Sequence, residues 1–281
     1  MSDILIRNLQ YHEMKILDQI AEIDRRNPGL NDGEFLFRAD DKAFIAAIMG
    51  SEVIGTVSSI NYQNNLGFIG NHYVVPHLQG NGLTEKLLSV AMDVAGKNNI
   101  GINCREEQVE VYEKAGFKTA FKIINYEGKS DGIFNMHPSL KSPLQLPFDE
   151  LYNYYRKNFP YERKVFINLW VNQPGSLLLG KYEDNEYKGY GLFKPCRKGY
   201  RLSPLISDDA QSAHEILTGL SSHFQAGTPY YLDIPEPNSD GINLASELKL
   251  KKTGEMIRMY YGKEHEISLK NIYSFTSLEI G

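Results

Sequence analysis

The sequence predicts a mixed α/β fold in which two similar halves each carry a mostly antiparallel central sheet with flanking helices. Each half alternates short apolar strand patterns with amphipathic helix patterns, and the second half repeats the element order of the first. A length of 281 residues suits two modest domains. We therefore expect one domain over residues 1–128, a proline- and serine-containing linker over 129–146, and a second domain over 147–281.

The first half is predicted to follow the order β-α-α-β-β-β-α-β-α-β. Its first helix carries spaced apolar side chains and ends at Asn27-Pro28-Gly29, which break a helix. Turn signals at Gly50-Ser51 and Gln63-Asn64-Asn65 separate three successive antiparallel strands. The predicted elements are, in order, Ile4–Leu9, Glu13–Asp24, Gly33–Arg38, Phe44–Met49, Glu52–Tyr62, Leu66–Val75, Gly82–Ala95, Ile100–Cys104, Glu107–Lys114 and Phe117–Tyr126.

The second half begins with helical patterns that stop at Pro174-Gly175, and a three-stranded meander follows them. The single tryptophan, Trp170, lies on the second of these helices, and we expect it in the core or between the halves. The predicted elements are Phe148–Phe159, Arg163–Trp170, Leu177–Tyr182, Tyr187–Pro195, Gly199–Leu205, Ala210–Gln225, Tyr230–Ile234, Asn238–Leu248 and Gly254–Tyr261.

Composition and charge exclude several functional classes. The net charge of −5 is too acidic for a general nucleic-acid coat, and no apolar run reaches membrane-spanning length. The two cysteines, Cys104 and Cys196, have no metal-type spacing, so we expect free thiols in a reducing compartment. We therefore predict a cytoplasmic protein, monomeric or homodimeric, with no metal, no nucleic-acid partner and no membrane partner.

The most informative segment joins an apolar strand to an amphipathic helix through a glycine turn. Val74 and Val75 lead to Pro76, and the turn Gln79-Gly80-Asn81-Gly82 precedes the helix. Backbone N–H groups at the positive end of a helix form a cradle for phosphate oxygens. A Walker loop is excluded because no Gly-Lys-Ser/Thr follows, and a dinucleotide fingerprint is excluded because the third glycine is missing.

The spacing of this segment resembles the GNAT superfamily of acyl-CoA-dependent N-acyltransferases, whose pattern is V-x-P-x-x-(Q/R)-G-x-G-x-(G/A). Thr84 stands where that pattern has glycine or alanine. A second segment, Val111–Phe117, resembles the family's L-Y-x-K-x-G-F and places its tyrosine at Tyr112. Arg105 replaces the asparagine that usually lies seven positions before this tyrosine. The resemblance covers about residues 1–128.

The resemblance implies acetyl-CoA as co-substrate and assigns roles to individual residues. Main-chain groups of His72 and Val74 would pair with the pantetheine arm, and Tyr112 would protonate the departing thiolate. The implied cofactor-binding residues are Val74, Val75, Gln79, Gly80, Asn81, Gly82, Leu83, Thr84 and Tyr112. A base must deprotonate the acceptor amine. His72 is one candidate for this base, and Glu106 and Glu107 are alternatives.

Four segments resemble the C-terminal domain of bacterial tandem-GNAT acetyltransferases, namely Gly189–Gly191, Asp233–Asn238, Arg258–Gly262 and Ser277–Gly281. This resemblance implies that the second half walls off the acceptor side. At its strand-to-helix junction Asp208-Asp209 replaces the glycines, and carboxylates there would repel phosphate. Asp233 and Glu236 either meet a cationic acceptor or are loop carboxylates without a ligand. We predict acetyl transfer to a small-molecule amine by direct attack. The alternatives are an acyl-CoA sensor or inactive paralogue, and an acetyltransferase of protein lysines or N-termini.

Overall fold

A computed structural model describes residues 4–24, 26–62, 66–96, 98–134, 136–142 and 147–281. The elements of the first half are β1 (Ile4–Asn8), α1 (Lys15–Ile23), α2 (Asp32–Ala39), β2 (Phe44–Met49), β3 (Glu52–Tyr62), β4 (Leu66–Val74), α3 (Leu83–Val94), β5 (Asn99–Cys104), α4 (Val109–Lys114) and β6 (Lys118–Lys129). The predicted turn at residues 63–65 lies outside the described residues.

The second half begins with a short strand and two helices, continues with a three-stranded meander, and ends with alternating helices and strands. Its elements are β7 (Leu140–Lys141), α5 (Phe148–Asn158), α6 (Lys164–Val171), β8 (Leu177–Glu183), β9 (Glu186–Pro195), β10 (Tyr200–Ser207), α7 (Ala210–Ser221), β11 (Pro229–Pro235), α8 (Ser239–Glu247), β12 (Lys251–Tyr261) and β13 (Ile272–Ser274). The sequence did not predict β7, which lies within the expected linker, or β13. Residues 135 and 143–146 of that linker lie outside the described residues.

The mixed α/β class with mostly antiparallel pairing is confirmed, but the two halves share one continuous sheet. Its strand order is β1-β2-β3-β4-β5-β12-β6-β11-β10-β9-β8-β7, and β13 pairs with β10. Strand β12, late in the chain, lies between β5 and β6 and pairs antiparallel with both. Strand β6 in turn pairs with β11. A division at residue 128 therefore does not separate two self-contained sheets.

The sheet of the first half has a helix on each face. Ile20 of α1 packs in one hydrophobic cluster with Phe44, whereas Leu87 of α3 packs in another with Ile45. Phe44 and Ile45 are neighbours on β2, and successive side chains on a strand point to opposite faces. Helices α1 and α3 thus cover opposite faces of the sheet, which defines two sides for the site described below.

The boundary between the halves carries a buried ion pair over an aromatic ring. Trp170 is buried, in agreement with its predicted position, and Lys194 Nζ lies 3.2 Å from the centroid of its ring. Asp32 of α2, in the first half, accepts from the same ammonium group at 2.5 Å. Burial lowers the pKa of Lys194 to about 8, against the opposing effect of Asp32. The halves are therefore joined by buried polar contacts as well as by the shared sheet.

Strands β4 and β5 pair in parallel over one end and then separate. Leu66–Ile69 of β4 pair with Asn99–Ile102 of β5. Beyond Ile69 the strand β4 continues to Val74 along β3, with a register shift in that pairing. From residue 70 onward, the edge of β4 that faces β5 therefore has no strand partner among the described residues. We call this opening, bordered by residues 70–74 and by the end of β5, the first cleft.

The corresponding opening in the second half is filled by the chain itself. Strands β10 and β11 pair in parallel at Tyr200 and Arg201, and farther along β10 its partner is β13, with Leu205 opposite Ser274. On its other side the β13 segment bonds to β11, because Asp233 N donates to Ser274 Oγ at 3.1 Å and Phe275 N donates to Asp233 O at 3.1 Å. We call this opening between β10 and β11 the second cleft. Within the described residues, β13 occupies the strand edges with which an extended ligand could pair in this cleft.

Candidate active site

The glycine turn forms an open loop at the start of α3. Gly80 and Gly82 have φ values of 79° and 80°, in the left-handed region that favours glycine. A Cβ placed on either residue would meet nothing within 4 Å, so space next to the loop is open. The first backbone bond of the helix runs from Lys86 N to Gly82 O at 3.0 Å. The N–H groups of residues 83–85 therefore have no intrahelical acceptor and suit an anion.

Backbone groups at the end of β4 face the first cleft. Val75 N donates to Ile54 O at 3.0 Å, and hydrogen-bonding direction alternates along an extended strand. The N–H and C=O of Val74 therefore point away from β3. Gln79 Nε2 donates to Val74 O at 2.9 Å, so the side chain of this predicted cofactor-binding residue is bonded to β4. The Val74 N–H remains directed at the cleft.

His72 connects three elements of the candidate site. Its Nε2 lies 3.1 Å from Thr84 O, and a carbonyl oxygen can only accept, so Nε2 carries the proton. In the neutral ring Nδ1 is then an acceptor, and the Tyr112 hydroxyl donates to it at 2.9 Å. One imidazole thus joins β4 to the first turn of α3 and to α4. The structure brings together His72, Thr84 and Tyr112, three of the residues that the sequence selected.

The protonation states of these groups follow from burial. Burial lowers the pKa of His72 to about 4, so the ring is neutral at physiological pH. Burial also raises the pKa of Tyr112, which is 2 % exposed, so its hydroxyl stays protonated. Both nitrogens of His72 already have partners on the α3 side of the sheet. His72 would have to release Tyr112 before it could accept a proton from an amine.

The carboxylates and the arginine that follow β5 border the cleft. Arg105 Nη2 donates to Asp24 O, at the end of α1, and its guanidinium lies 3.8 Å from the Glu107 carboxylate. Glu106 and Glu107 are exposed at the start of the turn that precedes α4. The residue that replaces the expected asparagine therefore ties the end of β5 to the end of α1.

A segment near the end of the sequence enters the first cleft. The main chain of Glu279 lies so close to Gly70 that a Cβ there would overlap its carbonyl oxygen. Asn103 Nδ2 of β5 donates to the carbonyl oxygen of the preceding residue, Leu278, at 2.7 Å. Asn71 N donates to Glu279 Oε2 at 3.1 Å, and Arg26 donates to the other carboxylate oxygen. No local sequence pattern marks these contacts, because they join four segments that are distant along the chain.

The acidic residues singled out in the second half have structural partners. Asp209 caps α7 by accepting from Ser212 N at 2.8 Å. Asp233 is buried and pairs with Arg201, so it does not present a free carboxylate to an acceptor. Glu236 is exposed. Within the described residues there is no group of three or more potential metal ligands of the kinds His, Cys, Asp and Glu. None of the helices described is long and apolar enough to span a membrane.

Two family models match the chain, and both are described as acetyltransferase (GNAT) domains. One matches residues 33–136 and the other residues 151–274, which places one domain in each half. The chain belongs to the GNAT acyltransferases. It is a tandem GNAT protein, and the sequence resemblance stated above is confirmed at the level of the family and of acyl transfer.

Two named relatives are similar to this tandem GNAT acyltransferase, one of them over nearly its whole length. Holothin acyltransferase from Pseudoalteromonas sp. (strain SANK 73390) is 24 % identical over 269 residues, which cover 96 % of this chain and 92 % of the relative. An uncharacterized N-acetyltransferase, YitH, from Bacillus subtilis (strain 168) is 23 % identical over 76 % of each chain.

Solved structures support the fold. A structure from Pyrococcus horikoshii, solved as a candidate acetyltransferase, has a TM-score of 0.83 at 18 % identity and covers 99 % of this chain and 96 % of its own. A tandem GNAT protein from the clavulanic acid biosynthesis pathway has a TM-score of 0.65 at 11 % identity, covering 93 % and 100 % of the two chains. These likenesses concern architecture.

The neutral ring of His72 has a structural counterpart that permits a test by pH. In His265 the Nε2 lies 2.8 Å from Asn99 O and Nδ1 lies 2.7 Å from the Tyr161 hydroxyl, and burial lowers its pKa to about 4. Because unfolded histidine binds a proton near pH 6.5, the unfolded state gains protons first as pH falls. The free energy of unfolding should therefore decrease between pH 7 and pH 4, by roughly 2 kcal/mol at pH 5 for a fully buried ring.

Urea unfolding between pH 5 and pH 8 measures this pH dependence. His265→Gln should flatten it, although the variant is less stable at pH 8 because two buried hydrogen bonds are altered. His72→Gln should flatten it by a similar amount, because burial lowers the pKa of His72 to about 4 as well. An unchanged slope in both variants would show that other groups cause the acid sensitivity.

Proposed function

We propose that this tandem GNAT acyltransferase transfers an acetyl group from acetyl-CoA to the amine of a small molecule, by direct attack in a ternary complex. The observation that carries the proposal is the asymmetry of the two clefts. The first has a free strand edge at Val74 beside an open glycine turn at a helix N-terminus, whereas β13 fills the second. One cofactor per chain, bound in the first half, follows from this asymmetry.

The residues near the first cleft fit a coenzyme A thioester. Amides of residues 83–85 would hold the pyrophosphate, and the Val74 N–H would pair with the pantetheine arm. The cofactor supplies an activated acyl carbon. The implied set Val74, Val75, Gln79, Gly80, Asn81, Gly82, Leu83, Thr84 and Tyr112 remains a prediction. Within that set, the Gln79 side chain donates a hydrogen bond to Val74 O of β4.

Direct attack is favoured over a covalent enzyme intermediate. Cys104, the cysteine in the first half, is buried and lies 3.5 Å from Met259 Sδ. Burial raises the pKa of its thiol to about 12, so the nucleophilic thiolate is scarce at neutral pH. The acceptor amine is then the nucleophile, and it must lose a proton before its lone pair can attack.

A small acceptor is favoured by the way the cleft is bordered. Arg105 reaches across to Asp24, and Glu279 and its neighbours occupy the inner end between β4 and β5. These contacts narrow the space that an extended polypeptide would need. One relative is named for acylation of holothin, which makes holothin a reasonable first acceptor to test. We place the protein in a reducing cytoplasm because both cysteines are free, and propose that it acts as a monomer or homodimer.

The proposal is tested by measuring release of the CoA thiol from acetyl-CoA with a panel of primary amines that includes holothin. At least one amine should raise the release rate at least tenfold above hydrolysis, and mass spectrometry should find the acetylated amine. Tight binding of acetyl-CoA without turnover on any amine would favour the sensor alternative. Turnover confined to peptides would favour protein acetylation.

A further inference from the structure

We propose that Glu279 is the catalytic base of the first cleft, binding the ammonium group of the acceptor and taking its proton. This inference rests on the proposed function, because it concerns the same reaction. Glu279 lies in a segment of the second half, yet its carboxylate reaches β4 one residue before His72. The second half would thus supply a reacting group to the first.

The position of Glu279 places it on the acceptor side of the cleft. His72 directs its ring toward α3 and α4, where the glycine turn lies. Glu279 instead bonds to Arg26, which follows α1 on the opposite face of the sheet. A thioester entering along the glycine turn and an amine arriving from the α1 side would meet at the edge of β4, where the Glu279 carboxylate is held.

The carboxylate is both fixed and reachable. Asn71 N holds Oε2 at 3.1 Å, and the Arg26 guanidinium holds Oε1. The Glu279 side chain is 23 % exposed and that of Arg26 25 % exposed, so solvent and a small acceptor can reach the pair. Two hydrogen bonds fix the orientation of the group, while its outer surface stays accessible.

Two carboxylates lie next to a single guanidinium at the place where the acceptor would arrive. Asp24 Oδ2 lies 3.4 Å from Arg26 Nε, so one guanidinium faces two carboxylates, those of Asp24 and Glu279. The other charged or titratable groups bonded to this segment or to its direct partners, or adjacent to them on β4, are Tyr62, His72, Tyr73, Arg105, Arg163 and Arg258. Arg163 donates to main-chain oxygen of Ile280, and Arg258 donates to Asn103, so neither pairs with the Glu279 carboxylate.

The proton and electron balance is simple. Glu279 accepts one proton from the ammonium group, and the freed lone pair forms the new C–N bond with the thioester carbon. The C–S bond then breaks, and the second amine proton ends on the CoA sulfur. The products are an amide and the CoA thiol, and Glu279 returns its proton to solvent.

Glu279→Gln tests the proposal through the pH dependence of kcat/KM, measured with the best amine of the panel. At pH 7 kcat/KM should fall about a hundredfold, within the range for loss of a general base. An alkyl amine has a pKa near ~10.4, so its free fraction rises about tenfold per pH unit below that value. The defect should therefore shrink steadily from pH 6.5 to pH 9.5, because free amine needs no base.

Matched variants separate chemistry from structure. Glu22→Gln removes another carboxylate paired with an arginine, Arg197 at 3.4 Å, and should leave kcat/KM unchanged. Glu279→Asp should recover part of the rate with the pH dependence of the wild type. A Glu279→Gln defect below threefold, or one that is constant across pH, would overturn the assignment. If the wild type acetylates no amine at all, the proposed function is wrong. If the wild type is active and Glu279→Gln is equally active, only the assignment of Glu279 is wrong.

Discussion

Gly82→Val should weaken acetyl-CoA binding at least a hundredfold. Gly82 caps α3 with φ of 80°, and a β-branched residue is strained there and places its side chain in the open space beside the turn. The displaced turn would no longer align the amides of residues 83–85 on a diphosphate. Titration calorimetry with acetyl-CoA and with desulfo-CoA measures the loss.

The chain offers a matched control for this substitution. Gly227, in the second half, has φ of 84°, and a Cβ there would also meet nothing within 4 Å. Gly227→Val therefore carries the same backbone strain, roughly 1–2 kcal/mol, away from the cleft. It should lower the free energy of unfolding about as much as Gly82→Val and leave acetyl-CoA affinity unchanged. If the two variants bind acetyl-CoA with equal affinity, the glycine turn is not the phosphate site.

Tyr112→Phe should lower kcat by about a hundredfold while changing the dissociation constant of acetyl-CoA by less than threefold. The variant removes the only polar atom of a side chain that is 2 % exposed and keeps its packing against Phe117, 5.9 Å away between ring centroids. It also removes the hydroxyl that donates to His72 Nδ1, so no group remains there to protonate the leaving thiolate. Steady-state kinetics with calorimetry separates the two parameters.

A leaving group that needs no proton provides the control for Tyr112. An acetyl thioester of an acidic aryl thiol departs as a stable thiolate, so wild type and Tyr112→Phe should transfer acetyl from it at similar rates. If the variant is equally impaired with both donors, the hydroxyl acts by positioning His72. If kcat with acetyl-CoA is unchanged, Tyr112 is a packing residue.

Local patterns in the sequence were sufficient for most elements of the fold. The bounds of β2 and β3 agree with the prediction, because apolar residues and turn signals delimit these strands without help from the rest of the chain. The glycine turn was equally readable, since left-handed φ values at two positions require that residue type. The strand at 254–261 was also predicted, but its place between β5 and β6 was not. Pairing across more than a hundred residues leaves no periodic trace.

In the candidate site, too, local motifs identified some residues, whereas others depend on contacts between distant parts of the chain. His72, Thr84 and Tyr112 were selected because two short motifs contain or border them, and the structure joins them through hydrogen bonds. The direction of the Tyr112 proton followed only from the Thr84 carbonyl, which fixes the tautomer of the ring. Glu279 could not be selected, because its approach to Asn71 depends on the whole path of the chain.

The position of β12 between β5 and β6 has a consequence for preparing shorter fragments of this protein. A fragment ending after β6 would lack β12, which fills the space between β5 and β6. It would therefore expose two strand edges with unpaired backbone N–H and C=O groups at the centre of its own sheet. Such a fragment is a candidate for aggregation, even though it holds the complete glycine turn. Simple truncation after β6 removes a central strand of the first half. A shorter enzyme would therefore need a re-ordered chain in which residues 251–261 precede β6.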